Sequence, residues 1–191
     1  MTTRLWLIRH GETDWNVEGR WQGQTPHAPP LNAAGRAQSE ALAKQLNSHV
    51  FDAIYSSDLL RAIQTAEIVG TKLGLRVRVE PRLREVNQGE WEGMLGSDIA
   101  RSYPAEWAAR ERNTLNARPP GGESVVEVAA RAWAAAADIT RQHPGGVVLV
   151  VSHGLLLATL ICKARGLPLQ NAFTLIPVNA RPEIIDWSVD E

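Results

Sequence analysis

The stretch from Leu5 to Asn16, L-W-L-I-R-H-G-E-T-D-W-N, constrains the fold more than any other part of the sequence. Its apolar first half predicts a buried strand, and Arg9, His10 and Gly11 follow where that strand ends. Parallel α/β sheets place their sites at the carboxyl ends of strands. We therefore expect Arg9 and His10 to lie on the floor of an active site.

A second strand ends in the same way. Residues 147–151 form an unbroken run of valine and leucine, which is typical of a central parallel strand covered on both faces, and Ser152, His153 and Gly154 come directly after it. Arg61 lies in the first turn of a predicted helix that follows a strand over 51–55. We expect Arg9, His10, Arg61 and His153 to converge at one edge of the sheet.

The order of the remaining elements predicts an α/β fold, a three-layer α/β/α sandwich with a mostly parallel sheet. Residues 14–30 are polar and rich in Gly and Pro, and we expect a loop there. Residues 83–122 break the alternation of strands and helices, so we expect a small helical lid inserted into a single domain, 1–191. The other predicted elements are a helix capped by Asn32, a helix begun by Ser56 to Asp58 and ended by Gly74, an edge strand over 75–79, a helix capped by Ser124 and Glu127, a helix over 155–164, and strands around 173–176 and 184–187.

Composition narrows the choice of partners and compartment. The chain has 20 Lys plus Arg and 21 Asp plus Glu, a formal net charge of -1, so it offers no general attraction to nucleic acid or an anionic membrane. Cys162 is the lone cysteine and lies in an apolar helix, where we expect a buried thiol. No segment approaches the roughly 18 apolar residues of a membrane span. We expect a cytoplasmic protein, and an edge strand or an exposed helix could support a homodimer.

The converging residues suit phosphoryl chemistry. Two guanidiniums, Arg9 and Arg61, and a helix N-terminus would supply fixed donors for a small dianion. A neutral imidazole among those cations is a competent nucleophile toward phosphorus, because the positive charges disfavour its protonation and stabilise the transferring group. The residues therefore predict that His10 becomes a phosphohistidine.

Five sequence blocks, in this order and spacing, resemble the histidine phosphatase superfamily, also called phosphoglycerate mutase-like. The blocks are R-H-G-E-T at 9–13, S-S-D-L-L-R-A-I-Q-T-A at 56–66, L-R-E-V-N-Q-G-E-W-E-G at 83–93, P-P-G-G-E-S at 119–124 and S-H-G at 152–154. The resemblance covers most of the chain.

The resemblance implies a role for each matching residue. His10 is the expected nucleophile, and Arg9, Arg61 and His153 form the phosphate pocket with it. Asn16 and the backbone amide of Gly154 add contacts to the phosphate. Glu85, chosen over Glu90 and Glu92 by its place in the family block, is the expected proton donor and then the base that activates water. The resemblance implies no metal and no other cofactor.

The sequence differs from the mutases of this family, and the differences indicate to which branch of the family it is most similar. Cofactor-dependent phosphoglycerate mutases carry an insertion with an R-H-Y-G-G-L-type run and two adjacent arginines, and they read H-G-N where this chain has Leu155 after Gly154. The loop R-W-Q-G-Q at 20–24, with Trp21, Gln22 and Gly23 as expected substrate contacts, resembles the small phosphatase branch. We therefore expect a phosphatase acting on a small phosphorylated metabolite, with a cofactor-dependent phosphoglycerate mutase as the alternative.

Two further interpretations stay open on the residues alone. His10, Glu85 and His153 could ligate a metal, although no short-spaced pair such as H-E-x-x-H supports that interpretation. The chain could also be a non-catalytic module that binds a phosphorylated partner. The leaving group would depend on lid and loop side chains around Trp21, Trp91 and Trp107. Arg20 could also shape the substrate pocket, whereas Arg110 is expected more readily on a solvated helix face.

Overall fold

The computed structural model describes residues 1–189 of the chain. Its five strands form one sheet in the order β3-β2-β4-β1-β5. β4 lies at the centre and pairs in parallel with β1 and β2, β3 extends the parallel part to one edge, and β5 pairs antiparallel with β1 at the other edge. The mostly parallel sheet is therefore confirmed. The strands are β1 (Thr2–Arg9), β2 (Ala53–Ser56), β3 (Val77–Val79), β4 (Val147–Ser152) and β5 (Pro182–Ser188).

Helices cover both faces of the sheet, which confirms the three layers. Val148 and Val150 of β4 point into a cluster with two helices on one face, and Leu149 and Val151 point into a second cluster on the other. This alternation follows from the two-residue period of a strand. The helices are α1 (Asp14–Glu18), α2 (Ala33–Leu46), α3 (Leu60–Leu73), α4 (Gly96–Ser102), α5 (Pro104–Arg112), α6 (Val125–Gln142) and α7 (Gly154–Ala164), with short 3-10 helices at Pro81–Leu83, Gly89–Trp91 and Leu169–Phe173.

Helix caps account for most of the helix boundaries that the sequence predicts. The Asn32 side chain accepts a hydrogen bond from the amide of Gly35 at the start of α2, and Ser124 forms a capping box with Glu127 at the start of α6. Gly74 ends α3 in a left-handed conformation, with φ of 69°. The expected cap of α3 is wrong, because Leu59 occupies the N-cap position and makes no side-chain capping bond.

The prediction that residues 14–30 form only a loop is wrong at its start. α1 occupies Asp14–Glu18, where the Thr13 side chain accepts from the Asn16 amide and the Asn16 side chain accepts from the Thr13 amide. This reciprocal pair holds a single helical turn, and Gly19 ends it with φ of 75°. The capping geometry, rather than an apolar stripe, makes this segment helical.

The strand expected around 173–176 is also wrong. Phe173 is the last residue of the 3-10 helix Leu169–Phe173, and the apolar residues after it serve packing rather than strand pairing. Leu175 packs against the cluster that includes α7, while Ile176 reaches Gly154 at the start of α7. Cys162 lies buried in α7, as expected. Within residues 1–189, every helix is too short or too polar to span a bilayer.

Candidate active site

A single pocket opens at the carboxyl ends of β1 and β4. Arg9, the last residue of β1, pairs in register with Ser152, the last residue of β4, so the two strands end side by side. His10 and His153 follow these residues directly, and their ring centroids are 5.2 Å apart. Parallel pairing of two adjacent strands is therefore the reason that histidines distant in sequence meet.

His10 is held in one tautomer and kept neutral. Its Nδ1 lies 2.7 Å from the carbonyl oxygen of Gly11 and donates to it, and the Arg61 Nε donates to His10 Nε2 at 3.2 Å. Nε2 is therefore the unprotonated ring nitrogen, and its lone pair accepts the hydrogen bond from Arg61. His10 lines the pocket although it is only 3 % exposed. Burial and the charges of Arg61 and Arg9 hold the pKa of His10 well below its usual range.

Arg9 and Arg61 line the same pocket, and both side chains retain unused donors. Arg9 donates to the carbonyl oxygen of Pro177 at 3.1 Å, and its buried Nε has no partner among the described residues. Arg61 donates to the carbonyl oxygen of Gly23 at 2.9 Å. Burial lowers the pKa of Arg61 to about 10, a shift that the charge of Glu85 opposes and that of Arg9 adds to. Both guanidiniums therefore stay charged at neutral pH and face a site that can bind an anion.

His153 lies beneath the pocket rather than in its wall. The side chain is fully buried, and its Nε2 lies 2.9 Å from the hydroxyl of Ser57. The Leu59 amide donates to that hydroxyl at 3.3 Å, so the hydroxyl proton is free to point at His153 Nε2. This tautomer puts the His153 proton on Nδ1, which has no partner among residues 1–189. Burial and the charge of Arg61 hold the pKa of His153 well below its usual range.

Of the three glutamates Glu85, Glu90 and Glu92, only Glu85 lines the pocket. Its side chain accepts hydrogen bonds from the amides of Leu155 and Leu156, both at 3.2 Å, in the first turn of α7. Glu90 is exposed and accepts from a tyrosine hydroxyl, and Glu92 accepts from backbone amides of neighbouring loops. The placement agrees with the choice of Glu85, and its role as proton donor stays a prediction.

The backbone at Glu85 is braced by residues that sequence reasoning missed. Arg131 of α6 donates to the carbonyl oxygens of Glu85, Arg84 and Arg82 at 2.6 to 2.8 Å, and its Nε pairs with Glu123 at 2.9 Å. A lone charged residue on the buried side of an alanine-rich helix is the signal that could have identified Arg131. Ser57, which was expected to form part of a helix cap, instead orients His153.

The other predicted contacts all line the pocket, each in a distinct setting. The Asn16 side-chain oxygen is used in the α1 cap, which leaves its Nδ2 without an acceptor in the described part of the chain. Gln22 is 8 % exposed, and its Oε1 has no partner there either. Gly23 has φ of 53°, and a side chain would collide with the carboxylate of Glu92. Gly154 begins α7, and a Cβ there would lie 2.9 Å from Cγ2 of Ile176 and 3.5 Å from the Nε of Arg9.

Gly11 allows a close approach between two backbone segments. Its φ is not positive, and a Cβ would collide with the carbonyl oxygen of Gly35 in α2. The Gly11 amide donates to the hydroxyl of Thr65 at 2.9 Å. The absence of a side chain therefore lets the segment that carries His10 pack directly on α2.

Aromatic side chains form the wall opposite the sheet. Trp21 lies edge to face on Trp91, with ring centroids 5.7 Å apart, and 6.0 Å from Trp107. Arg110 lies over this group and lines the pocket, so its expected position on a solvated helix face is wrong. Arg20 and Trp91 also line the pocket, whereas Trp107 supports Trp21 and Arg110 from behind. Residues of the 83–122 segment thus form part of the pocket wall, and its motion as a lid stays a prediction.

The three side chains considered as metal ligands belong to different hydrogen-bonding sets. His10 is bound to Arg61, His153 to Ser57, and Glu85 to amides of α7. Within residues 1–189, no group of three or more His, Cys, Asp or Glu is arranged to hold a metal ion. The arrangement resembles an anion site built from two guanidiniums, neutral imidazoles and a helix N-terminus.

The sequence matches known proteins over most of its length. The family model described as histidine phosphatase superfamily (branch 1) matches residues 5–191. Glucosyl-3-phosphoglycerate phosphatase of Mycobacterium tuberculosis is 41 % identical over 177 residues, which are 88 % of this chain and 78 % of that protein. The probable phosphoglycerate mutase GpmB of Enterobacter sp. is 36 % identical over 165 residues, 86 % of this chain and 76 % of that protein.

Solved structures show the same arrangement of strands and helices. The α-ribazole phosphatase from Shigella flexneri superimposes with a TM-score of 0.87 at 31 % identity, over 95 % of this chain and 89 % of that chain. The likeness extends over nearly the whole length of both chains.

Proposed function

This chain belongs to the histidine phosphatase superfamily, and from that premise we propose that it hydrolyses small phosphomonoesters by transferring the phosphoryl group first to His10 and then to water. The observation that carries the proposal is the state of His10. The imidazole is buried, neutral and fixed by Gly11, and its Nε2 lone pair faces two charged guanidiniums in an open pocket. A neutral nucleophile beside a fixed anion site is what transfer from a phosphate dianion requires.

The phosphate of the substrate would be held by donors that have no other partner. These are the Arg9 Nε and the His153 Nδ1, both buried and unpaired among residues 1–189, together with the Asn16 Nδ2. The amide of Gly154 at the start of α7 has no intrahelical acceptor and adds the positive end of the helix dipole. Together with Arg61, these donors would surround a phosphate bound in front of His10 Nε2.

In the first step, His10 Nε2 attacks phosphorus and the bond from phosphorus to the leaving oxygen breaks. Glu85, protonated at this stage, gives its proton to the leaving alkoxide, so that a neutral alcohol departs. The proton on His10 Nδ1 remains hydrogen-bonded to the carbonyl oxygen of Gly11, and this hydrogen bond stabilises the positive charge that develops on the ring. The product is a phosphohistidine and a Glu85 carboxylate.

In the second step, the Glu85 carboxylate takes a proton from water, and the hydroxide attacks phosphorus. The bond from phosphorus to His10 Nε2 breaks and its electron pair returns to the ring, which restores the neutral imidazole. Inorganic phosphate leaves and Glu85 is again protonated. The charges of Arg9 and Arg61 balance the phosphoryl group through both steps.

Phosphoglycerate mutase activity is the second candidate, favoured by the similarity to a relative that carries that name. A mutase must hold a bisphosphate while excluding water, which calls for a second strongly basic site. This chain lacks the adjacent arginines and the R-H-Y-G-G-L-type run of cofactor-dependent mutases. We therefore favour transfer to water.

Four secondary proposals accompany the reaction. Arg9 and Arg61 supply the positive charge that a metal would otherwise supply, so activity should survive exhaustive chelation. The single buried Cys162 suits a reducing cytoplasm. The near-neutral net charge favours a small phosphorylated metabolite over nucleic acid or a membrane surface, and the exposed edge of β3 could pair two copies as a homodimer.

The test is a hydrolysis panel of phosphorylated metabolites, with 3-phosphoglycerate measured in the presence and absence of its bisphosphate. We expect release of inorganic phosphate from several esters, loss of this activity in His10→Ala, and a loss in Glu85→Gln that is smaller for an activated aryl phosphate, whose leaving group needs no proton. Interconversion of 2- and 3-phosphoglycerate well above the rate of hydrolysis would establish the mutase instead. Turnover by His10→Ala at the wild-type rate would refute the proposed mechanism, and binding without turnover of any ester would indicate a non-catalytic module.

A further inference from the structure

Arg110 occupies an unusual position in the pocket, at the aromatic wall outside the set of residues assigned to the phosphate. Its guanidinium carbon lies 5.0 Å from the ring centroid of Trp21, 5.3 Å from that of Trp107 and 5.9 Å from that of Phe173. The side chain is half-buried, and burial lowers its pKa. Three aromatic rings thus hold a cation in the wall of a substrate pocket.

Arg110 differs from the other arginines at this wall because no carboxylate in the described part of the chain pairs with it at salt-bridge distance, although the charge of Glu111 partly opposes the lowering of its pKa. Arg20 is paired with Glu18 and donates to a backbone carbonyl, and Arg118 is paired with Glu127. Among residues 1–189, Arg110 forms neither a salt bridge nor a hydrogen bond. The rings attract the cation through their faces but accept none of its N–H groups in a conventional hydrogen bond.

Such a guanidinium is preorganised for an anion. Contacts with ring faces restrain the long side chain, so that less conformational entropy is lost when a ligand arrives. The edge of the planar guanidinium presents its donors in a fork that matches a carboxylate. A single cation suits a singly charged group, whereas the phosphate site in the same pocket has two guanidiniums, two imidazoles and a helix N-terminus.

We propose that Arg110 binds a carboxylate on the leaving-group side of the substrate, so that the preferred substrates are phosphate esters of hydroxy acids. This inference rests on the proposed function, because Arg9 and His10 line the same pocket and fix the phosphate end of the ester. Arg110 is then a specificity-determining residue. It adds a second anchor in the part of the pocket that the phosphate does not fill.

The first experiment leaves the protein unchanged and alters the substrate. We expect the wild-type kcat/KM for 3-phosphoglycerate to exceed that for its methyl ester by about 10-fold to 100-fold, the range of a charged hydrogen bond of roughly 1.5–3 kcal/mol. Equal kcat/KM values for 3-phosphoglycerate and for its methyl ester, in which the carboxylate is blocked, would overturn the inference. A preference for an aromatic ester such as phenyl phosphate over both would assign the rings, rather than Arg110, to substrate recognition and would also overturn it.

The second experiment uses variants of α5. Arg110→Met should reduce the acid-to-ester ratio of kcat/KM to near one, and Arg110→Lys should restore part of it, because lysine keeps the charge but lacks the planar fork. Arg112→Met is the matched control, since Arg112 is an exposed arginine of the same helix that does not line the pocket. The control should keep the wild-type ratio. A wild-type ratio in Arg110→Met would refute the assignment.

Binding measured without turnover separates this inference from the proposed reaction. In a His10→Gln background, calorimetry should show that 3-phosphoglycerate binds more tightly than its methyl ester, and that Arg110→Met removes the difference. If the wild type hydrolyses neither compound but this binding pattern holds, the proposed reaction fails and the carboxylate site stands. If hydrolysis occurs and the acid binds no better than the ester, the reaction stands and the carboxylate site fails.

Discussion

The two buried histidines of the pocket predict how the stability of the fold depends on pH. In the folded protein the pKa values of His10 and His153 lie well below the ordinary value of 6.5, because burial and the nearby arginines disfavour the charged ring. The unfolded chain has no such restraint, so it binds more protons than the folded chain once the pH falls below 6.5. Stability is therefore fully present above pH 6.5 and is lost as the pH falls toward the folded-state pKa values.

The magnitude follows from the unfolded-state titration. At pH 5.5, one unit below the ordinary pKa, keeping one histidine neutral costs roughly 1–2 kcal/mol, and keeping His10 and His153 neutral together costs about 3 kcal/mol. That loss is a large fraction of the free energy of unfolding of a typical domain, which is roughly 5–15 kcal/mol. The carboxylates paired with arginine, such as Asp58 and Asp138, are ionised in both states at this pH and lose their contribution only in more acidic solution.

The assay is urea unfolding at pH 8.0, 6.5 and 5.5 in buffer free of phosphate, which would otherwise bind the site. The free energy of unfolding of the wild type should fall by about 3 kcal/mol between pH 8.0 and 5.5, and by about half as much in His10→Gln or His153→Gln. His143, whose pKa is lowered by partial burial and by Arg78, adds to the slope in every variant. His27→Gln removes an exposed histidine and is the matched control. If the free energy of unfolding of His10→Gln and of His153→Gln falls with pH as steeply as that of the wild type, the reasoning is refuted.

Three substitutions test the supports of the site. Ser57→Ala removes the partner of His153 Nε2 and should cost roughly 1–3 kcal/mol in urea unfolding together with a drop in kcat/KM, whereas unchanged activity would make the hydroxyl purely structural. Gly154→Val adds a side chain whose Cβ would lie 2.9 Å from Cγ2 of Ile176 and 3.5 Å from the Nε of Arg9, so it should displace both side chains and lower kcat/KM on the order of 100-fold, and wild-type kinetics would contradict this. Gly11→Ala should lower stability by roughly 1–3 kcal/mol, because its methyl group meets a carbonyl oxygen of α2, and a wild-type urea midpoint would show that α2 yields without cost.

The parts of the fold that the sequence predicts are those in which local pattern and burial agree. The unbroken run in β4 predicts a strand covered on both faces, and the structure places β4 at the centre of the sheet. By contrast, α1 is too short to show an apolar stripe, and only the reciprocal bonds of Thr13 and Asn16 hold it. Residues 173–176 carry an apolar pattern that a strand would also have, but they use it to pack on the start of α7.

The candidate site is predictable in its chemistry and less so in its walls. Arg9, His10 and His153 follow two strands whose parallel pairing can be expected, so their convergence can be inferred from order alone. The partners of Arg110 lie at Trp21 and Phe173, far away in sequence, and helical periodicity gives no indication that such distant rings meet. Local patterns report which elements form, whereas tertiary packing decides which side chains share a pocket.

The measurement that tests the proposed mechanism most directly is capture of the phosphorylated enzyme. Wild-type protein mixed briefly with a ³²P-labelled phosphomonoester and quenched in alkali should retain label that is stable to base and lost in acid, and mass spectrometry should locate the phosphoryl group on His10. His10→Ala should retain no label and should not turn over the ester. Label on another residue, or turnover by His10→Ala at the wild-type rate, would contradict the assignment of His10 as the nucleophile.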